Sequence, residues 1–130
     1  EISACLVGSE MCIRDSLQGD LIKFYGVQGT DFFYWFYPSP CSHSKFGLEK
    51  INGVAKGIPF NEEELKKYSD MAAEVLNVPI YGGDCVVSAD GELKIIDFND
   101  WPSFARCREE AGVKIAECIY NRVKKKQMKK

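Results

Sequence analysis

The sequence predicts an α+β fold, an antiparallel sheet with helices packed on it. Three observations carry that expectation. Asp90-Gly91, a strong two-residue turn signal, separates two strand-like runs. A helix with clear start signals opens after Asn61, and a second apolar-periodic run begins near Arg108.

In chain order, Leu21 to Val27 reads as a strand, and Gln28-Gly29-Thr30-Asp31 is turn chemistry. Phe32 to Tyr37 are all aromatic, too apolar for a strand with one wet face. They predict a strand covered on both sides by core packing; a stacking platform for bases or sugars is the lesser reading. Pro38-Ser39-Pro40 ends it, and 41–59 reads as loop or short strand. Asn61 then serves as N-cap, with Glu64 placed as in a capping box and Glu62 to Glu64 suiting the positive helix end. That start explains the acidic trio without catalysis. Leu65, Tyr68, Ala72, Val75 and Leu76 form the expected apolar stripe; Asn77 closes the helix and Pro79 cannot continue it. Asp84 to Ser88 and Glu92 to Asn99 form the hairpin. The last helix is expected from about Arg108 to about Lys124, with Ala111, Ile115, Ala116, Ile119 and Val123 on one face. Arg122 to Lys130 contains basic residues and no acid, and reads as a solvated helix end with a frayed tail.

Composition narrows the function classes. The chain has 130 residues, one domain's worth, and its 45% hydrophobic and 12% aromatic content can fill a core. Seventeen basic and 19 acidic residues leave a net charge of −2, which gives no bulk attraction to nucleic acid. No apolar stretch reaches the ~18 residues needed to span a bilayer, and the start lacks the basic region of a signal peptide. The six cysteines make no C-x-x-C pair and His43 is the single histidine. They read as reduced thiols in a cytoplasmic protein rather than as a zinc site or a disulfide framework. Residues 5–16 lack helical or strand period, and back-translate to something resembling a sequencing-library adapter read in frame. Residues 1–16 are therefore set apart from the fold, 17–121 form the domain, and 122–130 the basic helix end.

The hairpin carries the chemistry. With Asp90 and Gly91 as a two-residue loop, Ala89 faces Glu92 and Asp84 lies directly opposite Asp97. Asn99, two residues on, joins the same face. Two carboxylates at cross-strand distance repel unless something positive lies between them. Three oxygen donors without a soft ligand suit a hard cation, with room for water and phosphate, which is how magnesium is held. By pattern alone, that reading and an exposed acidic hairpin end without function stand level. A longer loop would redirect Asp84.

Gly83-Asp84, a hairpin, and then Ile96-Asp97-Phe98-Asn99-Asp100-Trp101-Pro102-Ser103 resemble the C-terminal catalytic lobe of the ATP-grasp enzymes. That family carries a G-x-D or G-[VC]-D element, a variable hairpin and [ED]-x-N-x-x-P-[GS]. Ala72-Ala73 and Leu76 are similar to the helix that leads into the motif. Gln18 to Tyr25 resembles the strand of inositol trisphosphate kinases and ribosomal-protein glutamate ligases. The resemblance runs over roughly 17–121.

It implies the C-terminal half of an ATP-grasp fold, with ATP and Mg2+ as cofactors. Asp84, Asp97 and Asn99 would hold one or two magnesium ions, with Asp97 and Asn99 nearest the chemistry. Ile96 would face adenine, the backbone at Ser103 would approach the reacting intermediate, and Lys23 would face phosphate or substrate. Lys45 or Lys56 would stand in for a loop cation. The implied activity is carboxylate–amine ligation through an acyl phosphate on a small-molecule or peptide substrate, with no nucleic-acid or membrane partner. The alternatives are a kinase acting on a hydroxyl, toward which Lys23-Phe24-Tyr25 leans, a nucleic-acid-binding module using the basic end, and a purely structural lobe. Asp97 stands where glutamate is commoner, and Asp100-Trp101 replaces smaller residues. The resemblance also places the N-terminal lobes, with their nucleotide-gripping lysines, upstream of Leu17, so this chain alone is expected to bind ATP weakly, if at all, and not to turn over.

Overall fold

The structure, a computed structural model, describes residues 18–38 and 55–129. It is α+β, as expected. The strands are β1 (Asp20–Val27), β2 (Phe33–Phe36), β3 (Ile80–Val87) and β4 (Leu93–Asp100). The helices are α1 (Glu62–Leu76), between β2 and β3, and α2 (Arg108–Met128), after β4. The sheet runs β2-β1-β3-β4 with every neighbouring pair antiparallel.

Side-chain alternation sends the two faces to different partners. Ile22, Phe24, Tyr81, Cys85 and Val87 project to one face and form a core with Leu65 and Ala73 of α1. Val27 and Ile80 project to the other face and pack with Ala111 and Cys118 of α2. β3 lies inside on both faces, and Asp84 is its one residue that is not fully buried. The aromatic run behaves as expected in kind: all four residues of β2 are half-buried, with Phe33 and Trp35 on the α1 layer and Tyr34 on the α2 layer.

α1 is capped as the sequence foretells. Asn61 accepts from the Glu64 N–H, and Asn77 closes the helix in the left-handed region at φ 55°. The Glu64 carboxylate does not complete a reciprocal box; it accepts from the Tyr68 hydroxyl at 2.7 Å. The apolar stripe differs from the expected one. Leu65, Ser69 and Ala73 are buried, whereas Tyr68, Val75 and Leu76 are exposed. The reason is a polar tether. The Tyr81 hydroxyl, rising from β3, donates to Asp70 at 2.7 Å, and Lys66 pairs with the same carboxylate at 2.6 Å. This turns the Leu65-Ser69-Ala73 side to the sheet, where small residues permit close approach and the Ser69 hydroxyl is satisfied by the Leu65 carbonyl.

Gly26 makes room for that tether. A Cβ there would enter the Tyr81 ring. A second tether fixes the chain ahead of α1. The buried Asp20 carboxylate accepts from the Lys56 and Ile58 N–H groups, each at 2.7 Å.

α2 keeps part of its expected stripe: Ala111 is buried and Ile115 is half-buried against the core, as expected, but Cys118 joins them while Ile119 and Val123 are exposed. It runs to Met128, so the basic segment expected as a solvated helix end with a frayed tail stays helical about one turn past the expected Lys124 and ends at the cap residue Lys129. Most of the loop expected at 41–59 lies outside the described residues, Lys45 included.

Tyr81→Phe is expected to cost about 1–2 kcal/mol in urea unfolding, by removing the part-buried hydrogen bond to Asp70. Gly26→Ala is expected to cost at least as much, ~1–3 kcal/mol, through overpacking against the Tyr81 ring. A pH series supplies a second check. Burial pushes the Cys85 thiol from 9.0 up to about 11. Burial, reinforced by the Asp70 hydrogen bond, also raises Tyr81 above its ordinary 10.0. Between pH 9 and 11 the unfolded chain releases a Cys85 proton that the folded chain keeps, so stability falls as pH rises through that window. Tyr81 adds in the same direction above pH 10. The urea midpoint should drop over this range, and Cys85→Ala should flatten the early part of the drop.

Candidate metal centre

β3 and β4 place Asp84 directly opposite Asp97, the pairing on which the sequence reading depends. The turn reaches it by a different route. Gly91 N–H bonds to the Ser88 carbonyl at 2.8 Å, and Ser88 N–H bonds to the Glu92 carbonyl at 2.9 Å. The loop is therefore the three residues Ala89-Asp90-Gly91, with Gly91 in the left-handed region at φ 84°. Alone, that loop would shift β4 by one place, and Val87 does pair with Leu93 and Cys85 with Ile95. A bulge between Asp84 and Cys85 then restores the offset, with Ile96 as the extra residue. Two departures from the expected turn thus cancel at Asp84. Asp90 contributes to the loop by accepting from the Ser88 hydroxyl and from Glu92 N–H.

The close approach at the bulge requires Gly83. A Cβ there would collide with the Asp97 carbonyl and the Phe24 ring.

Register defines one row across all four strands, Phe36–Lys23–Asp84–Asp97, on the face that α2 covers only at its other end. Lys23 Nζ donates to Asp84 Oδ1 at 3.0 Å, and the two side chains are 39% and 19% exposed. Asn99 Nδ2 donates to Asp97 Oδ2 at 2.9 Å, and both residues are exposed. Asp84, Asp97 and Asn99 therefore share one face, as expected, with Lys23 added to the set at bonding distance.

The row is polarised. Lys23 stands at its β1 position, and Arg106 lies 4.3 Å above the Phe36 ring at β2. Two carboxylates occupy its β3 and β4 positions. The sequence reading missed Arg106, because a cation stacked on an aromatic 70 residues away leaves no local pattern.

The other expected residues are dispersed. Ile96 is the bulge residue and 39% exposed. Ser103 is exposed in the turn after β4, directly after Pro102. A Cβ on Gly82 would strike Pro102 and Tyr25, so this turn folds back over the sheet beside the row that ends in Asn99. Trp101 and Phe104 hold it there in left-handed backbone at φ 48° and 51°. Phe104 is buried against Tyr25 and Phe32, packing that offsets the strain of such a conformation in a non-glycine residue. Lys56 is exposed, and its fixed contact is the backbone bond to Asp20.

The donor set fits a hard dication. It offers two carboxylates and one amide oxygen, without sulfur or imidazole, on an accessible face. Among the described residues no group of three or more His, Cys, Asp or Glu side chains is arranged to hold a metal. An ion here would therefore complete its shell from water or a bound oxyanion, as magnesium commonly does. The described cysteines offer no competing chemistry: Cys85, Cys107 and Cys118 are free and buried, and burial raises all three thiols. No described helix is long and apolar enough to cross a membrane.

No protein-family model and no curated protein matches the sequence.

Asp97→Ala is expected to leave urea stability within about 0.5 kcal/mol of the parent chain, because an exposed side chain is removed. Asp84→Ala should cost more, since it strands the half-buried Lys23 ammonium.

Proposed function

We propose that this chain is the metal- and phosphate-holding part of a magnesium-dependent, ATP-using enzyme of the ATP-grasp kind, acting as a carboxylate–amine ligase. The observation that carries the reading is the row Lys23–Asp84–Asp97, with Asn99 bonded to Asp97. Its carboxylate end is suited to a dication and its cationic end to a phosphate. Asp84, Asp97 and Asn99 would hold the metal, which would neutralise charge developing in phosphoryl transfer. Lys23 supplies a positive charge for a phosphate oxygen. The turn at Pro102-Ser103 limits the space beside Asn99.

In a ligase of this class, a substrate carboxylate oxygen attacks the terminal phosphorus of ATP and ADP leaves. An amine then displaces phosphate from the acyl phosphate, forming the amide and losing a proton. Nothing in the row selects the carboxylate over a hydroxyl. The Lys23-Phe24-Tyr25 tripeptide that leaned toward a kinase retains only Lys23 as a site residue: Phe24 is fully buried and Tyr25 packs on Phe104.

The test is Mg2+-dependent ATP binding by the chain at high ATP concentration, since binding without the nucleotide-gripping lobes is expected to be weak, followed as a shift in melting temperature. Mg2+ with ATP should raise the midpoint, and Asp97→Ala should abolish the shift while melting normally alone. An equal shift in both proteins would remove the metal reading. In the polypeptide that also carries the nucleotide-gripping lobes, an amide product with release of ADP and phosphate separates the ligase from the kinase.

A further inference from the structure

The Lys23–Asp84 bond raises a question that a metal site must answer. The ammonium already occupies an oxygen of the carboxylate that a dication would need. Asp84 is largely shielded from water, so the bond is less screened than an exposed ion pair. Asp97, directly across the ladder, has the Asn99 amide as its partner and no cation at bonding distance among the described residues. A dication arriving between them gains two carboxylates but meets the repulsion of an ammonium bonded to one of them. The Lys23 side chain has a way out, because it is 39% exposed on a flexible four-carbon stem. A polyanion on the same face would give the displaced ammonium a new partner.

Resting on the reading of Asp84 and Asp97 as metal ligands, we propose that Lys23 is a positioning residue that couples the two ligands of the site. Its ammonium stands in for the metal, suppresses binding of a lone dication, and transfers to a phosphate oxygen when metal and polyphosphate arrive together. The site thereby favours the metal–polyphosphate complex over either component. By reciprocity, a polyphosphate also strengthens metal binding.

A second lysine on this face is a built-in control. Lys94 pairs with Val86, one same-face row from Asp84, and its ion-pair partner is Glu92 at 3.9 Å. It carries the same charge without contacting the carboxylate pair.

The test uses the whole chain and Mn2+ as probe, with free Mn2+ read by electron paramagnetic resonance, with and without ATP. Lys23→Met should bind Mn2+ alone at least threefold more tightly than the parent, and should bind ATP at saturating Mn2+ at least threefold more weakly. Lys94→Met should change neither by as much as twofold, and Lys23→Arg should follow the parent. If Lys23→Met loses the native circular dichroism, Lys23→Gln replaces it. Unchanged or weaker Mn2+ binding in the Lys23 variant, with Asp97→Ala still abolishing it, overturns this inference and leaves the metal reading standing. A gain shared by Lys94→Met reduces the effect to net charge and overturns it too. No Mn2+ binding by parent and variant alike overturns both.

Discussion

The register between β3 and β4 is the constraint on which the rest of the structure depends. Side chains alternate along a strand, so a slip of one residue would send Asp97 into the α1 core and Phe98 into solvent. Three local features hold the offset. Gly91 supplies the left-handed residue of the loop, Ile96 is the extra residue of the bulge, and Gly83 leaves space for the Asp97 carbonyl. The apolar side enforces the same answer, because Phe98 stacks on Tyr81 and packs by Phe24. Core packing and site geometry are consequences of one ladder.

The sheet separates its labour by face. The α1 face is closed by aromatic packing and by two part-buried polar tethers, Tyr81–Asp70 and Asp20 with the Lys56 and Ile58 amides. The opposite face is apolar under α2 and becomes charged beyond it, along Arg106 over Phe36, then Lys23, Asp84 and Asp97. Charged groups on a rigid four-stranded support need little reordering to meet a ligand. The exposed Tyr68, Met71 and Val75 of α1 belong to neither face of the sheet.

Much of this was legible in the sequence where the signal is local. The Asn61 and Asn77 caps, the existence of each strand, the hairpin and the helix starts follow from residue types at fixed offsets. The Asp84–Asp97 pairing was reached through the wrong turn. Asp-Gly suits two-residue and three-residue loops alike, and no pattern at Ile96 announces a bulge that cancels the difference. Both helix stripes were legible at Leu65, Ala111 and Ile115, which pack inward, and missed toward the helix C-terminal halves for a shared reason. Hydrophobicity ranks Val75 and Ile119 above Ser69 and Cys118, whereas packing against a sheet selected the small residues that allow close approach. The contacts the sequence hid altogether join distant positions: Asp20 with Lys56, Tyr81 with Asp70, Arg106 with Phe36 and Lys23 with Asp84.

The central claim is that one face of the β3–β4 ladder gathers an oxygen cage beside a lysine. Backbone-resolved NMR of the chain during a Mn2+ titration addresses it most directly. Paramagnetic broadening should begin at the amides of Asp84, Asp97 and Asn99 and reach Lys23 next, leaving Ala89 to Gly91 at the hairpin tip sharp. Broadening that begins instead on the acidic first turns of α1 or α2, or that spreads evenly over all exposed carboxylates, would contradict the account.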